Sequence, residues 1–217
     1  MPVEITVSEI AEEFHRPERA VLSVMVGFDG PDKAVVRERT VAVADELATG
    51  VAELLDEYRG PITRYSRSGL ATWTDRVWQG KGEQQAPLHQ ASDRFSVTFA
   101  DFTLLSDWVD RYAAIEGVSI GEVHWRLTRR RADEVAAAVR TAAVRAALAK
   151  AQAYADSLEL GPVRLVSLAD RGMLAGDGRP IPMREAVLAI GSGGTPAVLP
   201  EDVRVAAGVD ARFSAGD

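Results

Sequence analysis

The chain has 217 residues, 25 basic against 32 acidic side chains, a formal net charge of −7 and 47% hydrophobic residues. That length holds one large domain or two small ones, and the apolar share excludes a disordered, collagen-like or disulfide-stapled chain. The acidic balance argues against a nucleic-acid coat, which needs net positive surface, and the absence of cysteine removes disulfides, thiolate nucleophiles, zinc knuckles and iron–sulfur clusters.

The opening residues Met1-Pro2-Val3-Glu4-Ile5-Thr6-Val7 lack the basic region, apolar core and small-residue cleavage site of a signal peptide, so a cytoplasmic chain is expected. The best apolar run, Val21 to Phe28, is far short of the roughly 20 residues a membrane-spanning helix needs. Apart from Lys33, Lys81 and Lys150 every basic residue is arginine, which together with abundant Ala and Val reads as coding bias.

Val3, Ile5 and Val7 alternate with polar residues as a half-buried strand. After His15-Arg16-Pro17 a stronger alternation, Ala20, Leu22, Val24, Val26 and Phe28, predicts a second strand paired with the first as a hairpin. Asp29-Gly30-Pro31-Asp32 turns the chain into a long amphipathic helix (Val36, Thr40, Val43, Leu47, Val51, Leu54, Tyr58) ended by Gly60-Pro61. Residues 62–100 read as a long hairpin with a polar tip at Gly80–Gln85, returning through Phe95, Val97 and Phe99. A short helix over 101–114 turns Leu104, Leu105, Trp108, Val109 and Tyr112 inward, and Gly117 stops it. A strand through Val118, Ile120, Val123, Trp125 and Leu127 follows, irregular near Gly121.

Asp133 to Leu158 is an alanine-dense helix on which a wheel projection separates two apolar stripes. One holds Val135, Val139, Ala142, Ala146, Ala149 and Ala153; the other, nearly opposite, holds Val144, Leu148, Ala151, Ala155 and Leu158. Such a helix is expected to be covered on both sides, by the sheet and by a second layer. Val163, Leu165, Val166 and Leu168 predict a strand, 170–200 an irregular excursion with a short strand at Ala186–Ile190, and Val203 to Ala211 a last strand. The order predicts an α+β fold: a largely antiparallel sheet with helices packed on one face, containing a β-α-β-β-α-β (split βαβ-like) unit over 20–127 plus the long Ala-rich helix. A single domain over 1–217 is expected, with 1–128 and 129–217 as the sub-lobes if it divides.

No pattern carries catalysis. His15, His89 and His124 show no metal-ligand spacing, so no metal or cofactor is expected. Gly191-Ser192-Gly193-Gly194-Thr195 lacks the lysine and following helix of a phosphate cradle, and Ser66, Ser68, Ser92 and Ser96 lie in extended segments outside any GxSxG elbow. Arg129-Arg130-Arg131, with Arg126 just before, is the basic cluster; it reads as a solvated corner neutralised by Asp133 and Glu134, with anion contact through Arg126, Arg129 and Arg130 as the rival. Trp73 and Trp78 beside the polar tip, and Val144 and Leu148 on the second helix stripe, are the candidate interaction surface.

Five stretches stand in a telling order: Ile5-Thr6-Val7 leading to Pro17-Glu18-Arg19-Ala20-Val21-Leu22-Ser23-Val24; Ile62-Thr63-Arg64-Tyr65-Ser66; His89-Gln90-Ala91-Ser92-Asp93-Arg94-Phe95-Ser96-Val97; the alanine helix Ala138 to Leu160 ending at Gly161; and Leu199-Pro200-Glu201-Asp202-Val203. Together they resemble the SIMPL-domain family, with its proline-acidic-x-Ala lead-in, its I-x-T-x-x-Y-S and Y-x-A-x-N-x-L-x-V stretches, its "A…KA…A…L-x-L-G" helix and its final P-G-x-V. His89, Asp93 and Phe95 replace commoner residues of that pattern, and the export signal of many bacterial relatives is not seen. The resemblance implies an α+β fold, self-association, and links to stress defence or signalling adaptors, with no catalytic residues to carry over. The function expected is therefore a non-enzymatic, self-associating or interaction protein; the rival is a small-molecule or anion binder, or an enzyme, with an Arg-lined site on the sheet.

Overall fold

The computed structural model describes residues 2–75, 87–174 and 199–216. In chain order the elements are β1 (Val3–His15), β2 (Arg19–Gly30), α1 (Lys33–Leu54), β3 (Ile62–Arg67), β4 (Ala71–Asp75), β5 (Leu88–Phe99), α2 (Phe102–Ala113), β6 (Val118–Arg126), α3 (Arg129–Ser157), β7 (Arg164–Asp170) and β8 (Val203–Ala215). Every pairing between these strands is antiparallel, which makes the fold α+β as expected. They form two compact units, one of β1, α3, β7 and β8, the other of β2 to β6 with α1 and α2.

The second unit is the split βαβ arrangement. Its sheet runs β3-β5-β2-β6, with β4 also on β5, so β5 lies between the strands joined by α1 and β2 between those joined by α2. Period-2 alternation puts Ala20, Leu22, Val24 and Val26 on one face, opposite Phe99, Val97, Phe95 and Asp93. All eight are buried, and α1 and α2 cover that face. Asp32 caps α1 by accepting from the N–H groups of Ala34 and Val35, and the helix buries Val36, Thr40, Ala44, Leu47 and Val51. It stops at Leu54 and not at Tyr58. The Asp56 carboxylate accepts the N–H groups of Tyr58 and Arg59, a local turn that competes with further helix and leaves Tyr58 exposed.

Asp101 caps α2 in the same way, turning Leu105, Trp108 and Tyr112 inward. Trp108 stacks on Tyr112 at 4.1 Å and meets Phe99 edge-on at 5.7 Å. Gly50 on α1 makes room for this cluster: a Cβ there would stand 2.0 Å from the Tyr112 hydroxyl oxygen. Gly50→Ala gains roughly 0.5–1 kcal/mol of helix propensity but overpacks a stacked ring at a cost of about 1–3 kcal/mol. A lower urea midpoint is expected, partly restored when Tyr112→Phe is added.

In the first unit the sheet order is β1-β8-β7. The expected β1–β2 hairpin does not form: β1 pairs along its whole length with β8, from Val3 opposite Ala215 to His15 opposite Val203. Arg16-Pro17-Glu18 offers none of the Gly or Asn chemistry a tight hairpin turn requires. Against β8, Ile5 meets Phe213 and Val7 meets Ala211 on the buried face, while Glu4 pairs with Arg212 and Glu12 with Arg204 on the other.

The expected two-sided burial of the alanine helix is also corrected. α3 buries one line only, Val135, Val139, Ala143, Ala147, Ala151 and Ala155, packed on β1 and β8. Each four-residue step turns about 40° round the axis, so the line rotates by about 200° from Val135 to Ala155. The two stripes of a flat projection are the two ends of one winding seam that follows a twisted ribbon of two long strands. Ala142, Ala149 and Ala153, assigned to the first stripe, are exposed, and so are Val144, Leu148 and Leu158 of the second.

Candidate functional site

Three places in the described residues bear on function. The first is a set of exposed apolar side chains on α3 and β7. The helix sits over β1 and β8 rather than over the edge strand β7. Leu165 lies opposite Phe213 and Leu168 opposite Ala211, so both leucines share the face that α3 covers elsewhere, yet they are 56% and 45% exposed. Val166 occupies a bulge between them at 58% exposure. The side of α3 towards β7 is fixed by Gln152, which accepts from the Val163 N–H and donates to the Gly161 carbonyl. Leu148 and Val144 lie one and two turns back along that flank, 47% and 37% exposed. On the opposite flank Lys150 donates to the Ser8 carbonyl and to the Glu9 carboxylate, a bond that raises its ammonium pKa.

Val144 and Leu148, named from the sequence as interaction residues, thus lie on the flank of α3 towards β7, whose Leu165 and Leu168 are also exposed. The sequence pattern missed these two leucines because only register shows that β7 is an edge. Trp73 stands on β4 opposite Gln90, 43% exposed. Trp78 and the polar tip at 80–85 lie outside the described residues, as do the glycine loop at 191–195 and the strand expected at 186–190. Of the arginines, Arg126 ends β6 opposite Arg19, in the unit of β2 to β6. Arg129 and Arg130 open α3 in the other unit, behind the Thr128 cap, with Arg130 3.8 Å and Arg131 3.7 Å from Glu134. His15 contacts Glu13 and Arg131, His89 the Thr74 hydroxyl, and His124 approaches Glu122. Among the described residues no group of three or more His, Asp or Glu is placed to hold a metal ion, and no helix is long and apolar enough to cross a membrane.

The second place is an ion triad under α1. Asp93 is buried on β5, and its Oδ2 accepts from Nε of Arg67 at 2.6 Å. Arg67 also donates to Asp45 of α1 at 2.7 Å. The bond to Asp93 raises the guanidinium pKa, against an opposing effect of burial. Asp93 Oδ1 has no hydrogen-bond partner among the described residues. The triad ties α1 to the β3/β5 end of the sheet.

The third place is the sheet face opposite α1 and α2. Register sets Ser66, Ser96 and Ser23 side by side across β3, β5 and β2. One step along, Arg94, Met25 and Ser119 form the next row, and Ser68 donates its N–H to the Arg94 carbonyl. These residues line an open depression of about 410 Å³. Gly121 sits at the irregularity where β6 slips against β2; a Cβ there would be 2.9 Å from the Ser23 carbonyl oxygen. The sequence singled out Ser66, Ser68 and Ser96 only as lacking a nucleophile motif; that they share a face depends on pairing register, which one strand's pattern does not carry.

Comparison with protein-family models matches residues 5–213 to SIMPL, described as a protein of unknown function (DUF541). No curated protein matches the chain.

Proposed function

We propose that this chain, which belongs to the SIMPL family, acts without catalysis and assembles with copies of itself through the exposed apolar side chains of α3 and β7. The observation that carries the reading is Leu165, Leu168, Val144 and Leu148 exposed together beside an edge strand that pairs only with β8 among the described residues. Exposed apolar patches of this kind are uncommon on monomers, and an edge strand whose charges, Arg164 and Asp170, stand only at its two ends is poorly guarded between them despite its bulge. A second copy fits because an antiparallel β7–β7 contact is self-complementary about a two-fold axis: each copy's strand pairs with the other's, and each copy's leucines meet the same surface.

Light scattering across a concentration series is expected to give a mass above the 23.4 kDa of one chain. Leu148→Glu and Leu168→Glu are each expected to return the mass to one chain with unchanged circular dichroism, since both positions are solvent-facing within a single copy. A wild-type chain that stays monomeric at the highest concentration reached overturns the reading, as does an oligomer that both glutamates leave intact.

A further inference from the structure

We propose that the face of the β3-β5-β2-β6 sheet opposite α1 and α2 binds a small phosphorylated, hydroxyl-bearing ligand about the size of a sugar phosphate. The Ser66–Ser96–Ser23 row crosses three strands at about 4.8 Å per step, so its hydroxyls span about 10 Å. That is wider than one phosphate group and matches a ligand with several oxygens spread along its length. Arg94 and Ser119 flank the row one step away, and Ser68 lies at its β3 end. The depression of about 410 Å³ falls in the range of small-molecule sites.

Two features of this face suit such a ligand. Arg94, like most of the described arginines, has no carboxylate partner among the described residues, and it is the arginine that lies in the depression, with its fork of N–H donors left for an oxyanion. The serines are the second feature. β-branched residues stabilise the solvent-facing side of a strand more than serine does, yet serine occupies adjacent positions on three neighbouring strands, and none of these hydroxyls bonds another described residue. Arg94 would grip the phosphate, and the serine row would exchange hydrogen bonds with the hydroxyls of the ligand body. Gly121 keeps the β6 side of the depression open by letting that strand pass close to the Ser23 backbone.

The test is thermal denaturation and titration calorimetry of the full chain with glucose 6-phosphate, inorganic phosphate and glucose. Glucose 6-phosphate is expected to raise the melting temperature with concentration and to bind at least about tenfold more tightly than either fragment. Arg94→Gln is expected to weaken it by about tenfold or more, and Ser96→Val to weaken it while leaving the free protein at least as thermally stable as wild type. The proposal is overturned if glucose 6-phosphate gives no shift, if Arg94→Gln and Ser96→Val bind it as wild type does, or if inorganic phosphate alone binds equally well. Leu148→Glu, on the other unit, is expected to leave this binding unchanged, which separates the site from self-association.

Discussion

Arg67→Ala is expected to destabilise the unit of β2 to β6 by about 3–5 kcal/mol, the range for leaving a buried charge without its counter-ion. Asp93 is fully enclosed, its Oδ2 bonds Arg67, and its Oδ1 has no partner among the described residues. With the guanidinium gone, folding must bury an uncompensated carboxylate or protonate it. The side chain of Arg67 is 29% exposed, so water screens part of the pair and the lower end of the range is the better expectation. Asp45→Ala removes the other carboxylate of the triad, which is 59% exposed, and is expected to cost about 0.2–1 kcal/mol. The double replacement Arg67→Leu with Asp93→Leu is expected to recover most of the loss, because two apolar side chains need no pairing. Urea unfolding of the three variants against wild type checks this; equal losses for Arg67→Ala and Asp45→Ala would refute it. Because the guanidinium pKa is raised, its contribution is complete below the unfolded-state value and is lost only as pH climbs through the folded one, in strong alkali.

Ala147→Leu is expected to cost about 1–3 kcal/mol through overpacking, whereas Ala149→Leu, two residues on, is expected to stay within about 0.5 kcal/mol of wild type. Ala147 is fully buried in the cluster with Val7, Val209 and Phe213, and Ala149 is exposed. The two flat stripes hold Ala149 but not Ala147, and would put the penalty on Ala149→Leu instead. Chemical denaturation of the two single variants therefore decides between a winding seam and two flat stripes.

Much of this architecture is legible in the chain. The alternation at Ala20 to Phe28 and at Phe95 to Phe99, the Asp29-Gly30-Pro31-Asp32 turn before α1, and the glycine at the β6 irregularity all gave the right elements in the right places. These are local signals, and local physics determines them. Long-range pairing is another matter. Nothing in Val3–His15 says that its partner is Val203–Ala215, because an alternating strand fits any partner of like parity. A wheel projection assumes a straight seam, and a seam that repeats every four residues drifts, so Val139 and Ala155 were placed on different sides when they belong to one line. The apolar flank at Val144 and Leu148 was found from the sequence, but the edge leucines of β7 and the serine row of the other unit exist only through register. Asp93 stood out only as a departure from a family pattern; that it is a buried ion needs the sheet to show which way β5 faces.

The marriage of β1 to β8 has a consequence for how the protein is made. β1 leaves the ribosome before β2 to β6 and its mate β8 after them, so the unit of β2 to β6 can finish folding while β1 still waits with its backbone donors and acceptors unmatched. Contacts of such long separation in sequence slow folding and lengthen exposure to stray pairing. Glu4, Glu9, Glu12 and Glu13, spread through that waiting strand, give it a charge that discourages two nascent chains from zipping together before the proper mate arrives.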